Sequence, residues 1–119
     1  MAKDIPERDW KLLSELRVIA LNRFCNHVLA RASTIINRQD MTAHERYGKL
    51  YGLMELEDQE LALCFNGARR SVAIMQLAAI RYRELLTVEE YAKFSEEVRS
   101  KVERLLSLSI PAPDAHDDD

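Results

Sequence analysis

Thr42 to Leu86 reads TAHERYGKLYGLMELEDQELALCFNGARRSVAIMQLAAIRYRELL. Thr42 followed three residues later by Glu45 is the pattern of a capping box, in which the hydroxyl accepts from the backbone N–H of residue 45 and the carboxylate reaches back to that of residue 42. A helix starts here. From Tyr47 onward, Tyr47, Tyr51, Met54, Asp58, Leu61, Phe65, Ala68, Val72, Met75, Ala79, Tyr82 and Leu86 recur in alternating steps of four and three, a coiled-coil-like heptad seam in which only Asp58 is charged. The seam keeps its phase through Asn66-Gly67. That pair would ordinarily end a helix in a left-handed turn, and a stop there makes a short four-helix bundle. A stop followed by a reversal gives the phase no reason to persist, and one Gly inside a helix costs only about 1 kcal/mol. The expectation is a single central helix over about 42–86, on the order of 65 Å long.

Upstream, Pro6 followed by Glu7 and Asp9 suits the first turn of a helix, where Pro is tolerated and acidic side chains face the positive end of the dipole. Nothing interrupts that helix before about Gln39-Asp40. Trp10, Leu13, Leu16, Ala20, Leu21, Phe24, Val28 and Ile35 form one broad stripe, and Val18, Cys25, Leu29 and Ile36 widen it on one flank. An apolar arc this wide cannot be covered by one neighbour. The short connection to Thr42 makes the two helices antiparallel, with facing residue numbers totalling about 82. Downstream, Thr87 and Glu90 repeat the capping box, so a C-terminal helix follows, burying Tyr91, Phe94, Val98, Val102 and Leu105, with Ser95 and Glu96-Glu97 as a candidate break and new cap. After Ile110 the chain is Pro-punctuated and acidic. Residues 1–110 read as one helical domain and 111–119 as a flexible acidic tail.

Composition agrees with an all-α fold. Only three Gly and three Pro occur in 119 residues, too few to turn the strands of a β protein. Hydrophobic residues at 47% and charged residues at 31% are a globular balance. A net charge of −3 disfavours charge-driven binding to nucleic acid or membrane. No apolar run approaches the roughly 20 residues of a membrane span, and the N-terminus has no signal-peptide core. The expected compartment is the cytoplasm, with Cys25 and Cys64 as buried, reduced thiols.

Ser71 to Ile80 is apolar except for Ser71 and Gln76, so the helix carrying it must be surrounded. In a hairpin the first helix reaches back only to about residue 75, and the last covers roughly 66–86. Part of a continuous central helix is then bare, and a second copy is the economical cover. Val72, Met75 and Ala79 are the expected dimer core.

Three constellations are candidates for chemistry. His27 and Asp58 both fall on apolar faces within about a turn of each other, and are expected to form a buried polar pair that sets register; acid–base work around them is an alternative. Arg69, Arg70, Arg81 and Arg83 flank the apolar segment and, if convergent, could hold an anion or RNA phosphates, though no aromatics interleave to stack bases. Metal ligation has no supporting spacing, and no cofactor motif, phosphate loop or nucleophile motif occurs. The reading is a non-enzymatic helical interaction module, a homodimer binding another macromolecule, most simply a protein. An Arg-based anion- or RNA-binding regulator stands second, and an enzyme with a small pocket near His27 and Asp58 third.

Overall fold

A computed structural model describes residues 5–109; the tail expected at 111–119 lies outside the described residues. Among them the chain is helical throughout, in five α-helices: α1 (Glu7–Ile36), α2 (Ala43–Phe65), α3 (Ala73–Tyr82), α4 (Val88–Ala92) and α5 (Glu96–Ser109), with one 3-10 turn at Arg70–Val72. Both capping boxes form, at Thr42 with Glu45 and at Thr87 with Glu90. The Ser95 break also forms: its hydroxyl accepts from the Val98 N–H at 3.3 Å, and α5 begins one residue after it.

α1 and α2 make the antiparallel hairpin in the expected register. At the loop end Arg46 donates to the Ile36 carbonyl at 2.7 Å, and at the far end Arg17 donates to that of Phe65 at 2.5 Å, so facing numbers total 82 at both ends. The expected continuous helix over 42–86 is not what forms. α2 ends at Phe65, Asn66 is extended, and Gly67 has φ +66°. The reason lies in partners far along the chain. Arg17 holds the Phe65 carbonyl and the Gln76 side-chain oxygen (2.8 Å), while Gln76 donates to the Asn66 carbonyl at 2.5 Å. These bonds satisfy carbonyls that a helix end leaves open, and burial pulls the pKa of the Arg17 guanidinium down. They also account for the two polar residues that interrupt otherwise apolar stretches.

With the chain reversed at Gly67, α3 folds back against α1, α2 and α5. Ala73, Gln76, Leu77, Ala78 and Ile80 are buried. The need to surround Ser71–Ile80 is therefore met largely within one chain. Phe24, Leu13, Leu77, Ile80, Leu85, Phe94, Val98 and Val102 form the centre of the core. The base of the hairpin is locked to the C-terminal helices. Asp9, fully buried, accepts from the Ser95 N–H and hydroxyl, both at 2.8 Å. Arg23 grips Glu90 with both terminal nitrogens at 2.7 and 3.0 Å and donates to the Leu85 carbonyl at 2.8 Å. Arg81 donates to Glu103 at 2.7 Å, as does the Tyr91 hydroxyl at 2.8 Å, with Arg81 stacked 4.3 Å over the Tyr91 ring. Burial and the adjacent carboxylate push the Tyr91 phenol up to about 12.

Candidate interaction surface

The heptad seam on α2 exists, but it faces outward. α2 turns Leu53, Glu57, Cys64 and Phe65 to the core; the first three are one residue out of phase with the seam, and Phe65, a seam position, is buried where the helix ends. Tyr47, Tyr51 and Met54 stay exposed, with Leu61 half-buried. On α1 the buried face is Leu13, Leu16, Ala20, Phe24 and Val28, and the flank of Val18, Leu21, Leu29 and Ile36 is exposed with Cys25 half-buried beside it. The two outward stripes lie side by side. A hollow of about 320 Å³ between them is lined by Cys25, Val28 and Leu29 from α1 and Met54, Asp58 and Leu61 from α2, among others. A second, of about 300 Å³, continues the line toward the base, between Val18 and Leu21 on one side and Leu61 and Phe65 on the other. Both share Leu61, so the hairpin carries one apolar furrow along its outer face.

The buried pair expected at His27 and Asp58 does not form. Both residues are exposed, and no hydrogen bond or ion pair joins them among the described residues. Asp58 sits on the lip of the larger hollow, which His27 does not line. The carboxylate that α2 does bury is Glu57. It accepts from Arg31 at 2.6 Å and from Arg83 at 2.9 Å, while Arg83 also reaches Glu60 at 3.4 Å and lies 4.7 Å over the Phe24 ring. One hundred degrees of helix rotation separate the two acids. Leu50, Leu53, Glu57, Glu60 and Cys64 are themselves spaced by threes and fours, so the sequence held a signal for the inward phase, weakened by its two carboxylates.

The four arginines do not converge on an anion site. Arg70 pairs with Glu7 at 2.6 Å and lies 5.5 Å over Trp10; Arg81 belongs to Glu103 and Tyr91, and Arg83 to Glu57 and Glu60. Arg69 is exposed beside Gly67. Of the expected dimer core, Val72 closes the 3-10 turn and Met75 and Ala79 follow on α3, with Met75 exposed and the other two half-buried. The thiols are free: Cys64 is buried, which raises its pKa, whereas Cys25 is only half-buried at the furrow. No group of three or more His, Cys, Asp or Glu side chains assembles among the described residues, and none of their helices is long and apolar enough to cross a membrane. No family model matches the chain, and no curated protein or solved structure matches it either.

Proposed function

We propose that this protein is a non-enzymatic helical interaction module that works as a homodimer and presents the assembled bundle to another macromolecule, a protein. The observation that supports the reading is the outer face of the α1–α2 hairpin. Val18 is 71% exposed, Leu29 60%, Tyr47 70% and Tyr51 60%, with Leu21, Ile36 and Met54 completing the patch. These side chains together expose on the order of 700 Å². That matches the roughly 800 Å² one partner contributes to a standard interface, and exceeds what a typical monomer leaves bare in one patch. A helical hairpin apolar on both faces is half of a four-helix bundle. α3 and the helices after it cover one face here, and a second hairpin covers the other.

Light scattering at micromolar concentration should return twice the mass of one chain. Leu29→Glu, an exposed position whose replacement leaves the fold intact, should return the mass of one, because a carboxylate buried in the interface without a partner is costly. Wild type at the mass of one chain would end the dimer reading. Dissociation by Met75→Glu but not by Leu29→Glu would move the interface to Val72, Met75 and Ala79.

A further inference from the structure

Each outward stripe carries one strongly polar residue in its apolar middle. On α2 it is Asp58, between Met54 and Leu61. On α1 it is Asn22, which completes the spacing Val18, Asn22, Cys25, Leu29 in steps of four and three, with Ile36 one heptad beyond Leu29. Both side chains are exposed, and neither takes part in a hydrogen bond or ion pair among the described residues. In the observed register residue 58 faces residue 24, so Asn22 and Asp58 stand at nearly one level of the hairpin, about 3 Å apart along its axis. An amide and a carboxylate at one level of an otherwise apolar face are complementary: the amide donates and the carboxylate accepts.

Resting on the dimer reading above, we infer that two copies pair face to face about a two-fold axis parallel to the furrow, which lays α1 of each copy against α2 of the other at unchanged level, so that the Asn22 amide of each copy donates to the Asp58 carboxylate of the other. The rotation preserves level along the hairpin, so α2 of one copy faces residues 17–39 of the other, most of them within Glu7–Ile36. The closure is symmetric, so the polar contact occurs twice. A single polar position in an apolar seam is the device by which coiled coils select one register and one partner; here it is divided between two helices.

The test is a charge exchange read by sedimentation equilibrium. Asn22→Asp places carboxylates opposite carboxylates and should weaken the dimer about tenfold or more, since like charges juxtaposed in an interface are strongly disfavoured. The exchanged chain carrying both Asn22→Asp and Asp58→Asn restores one amide and one carboxylate at every contact, and should recover the wild-type dissociation constant to within about threefold. Circular dichroism confirms that each variant keeps its helices. If Asn22→Asp dimerises as wild type, or the exchanged chain stays as weak as the single variant, the register is overturned, whereas dissociation by Leu29→Glu would leave the dimer itself standing. A wild type that is monomeric throughout overturns both.

Discussion

Two residues flanking α3 hold left-handed backbone angles, and they are of opposite kinds: Gly67 at φ +66° and Glu84 at φ +58°. Gly67 turns the chain out of α2, and a Cβ there would be strained by φ and would meet the Arg69 guanidinium at 3.4 Å. Gly67→Ala should therefore destabilise by about 1 kcal/mol in urea unfolding, whereas in a continuous helix the same change would stabilise. Glu84 closes α3: the Leu85 N–H bonds to the Ile80 carbonyl at 3.1 Å and the Glu84 N–H to that of Arg81 at 2.9 Å, the paired bonds of a Schellman turn. That position favours Gly, so Glu84→Gly should stabilise by about 0.5–1 kcal/mol. Glu57 is the other residue with a sharp expectation. Glu57→Gln removes the charge that Arg31 and Arg83 share and should cost about 2 kcal/mol, while Asp58→Asn next to it should leave the stability of the monomeric fold almost unchanged. Equal effects at the two positions would contradict the inward phase of α2.

Among the helices, α4 has only five residues and cannot persist on propensity. Its N-terminus is held by Thr87 and Glu90, and Glu90 is held in turn by Arg23 of α1. The Arg23 hydrogen bonds, followed by the Thr87 backbone N–H, keep the Glu90 carboxyl well below its ordinary 4.5, at about 2. A carboxyl depressed on folding contributes stability that is fully present above its unfolded value and fades as pH falls from about 4.5 toward 2. Glu90→Gln should thus lower stability at neutral pH by about 1 kcal/mol, because the pair is only partly buried and solvent still screens it. It should also flatten the acid limb of the stability curve over that window. Thermal melts between pH 2 and 6 would check this; an unchanged acid limb would show that the clamp contributes nothing. Asp40, held at about 2 by Arg38, sits in the exposed connection between α1 and α2 and gives the acid limb a second component that the substitution leaves in place.

At the scale of the molecule, the long dimension of 55 Å belongs with the hairpin, whose base is packed by α3, α4 and α5 while the loop end extends beyond them. Every buried side-chain nitrogen and oxygen among the described residues has a hydrogen-bond partner, so the polar accounts of one chain close internally. The apolar accounts do not, since Val18, Leu29, Tyr47 and Tyr51 stay exposed, and the proposed dimer would close them. Folding coupled to association makes stability depend on concentration. Raising wild-type protein from about 1 to 100 µM should raise Tm by on the order of 5 °C, and the Tm of Leu29→Glu should not move. A wild-type Tm independent of concentration would leave the furrow without a dimeric role.

Element types and several boundaries were legible in the chain because they depend on neighbours a few residues apart. Thr42 with Glu45 and Thr87 with Glu90 satisfy backbone groups three residues away, and they formed as read. The register of the hairpin followed from its short turn. The width of the α1 stripe, an arc too wide for one neighbour, was legible too, but not that its flank of Val18, Leu29 and Ile36 stays exposed. Other features were not legible because they depend on partners distant in sequence. Threes-and-fours spacing is shared by the seam through Asp58 and by the set through Glu57, and only the arrival of Arg31 and Arg83 from α1 and α3 selects which faces inward. The break at Gly67 has the same origin. A heptad seam records periodicity along one helix, but Arg17 and Gln76 reach the carbonyls at the end of α2 only after the chain has folded back. Periodicity is a property of the strand of residues; the rotation of a helix about its own axis, and the point at which it stops, are properties of what packs against it.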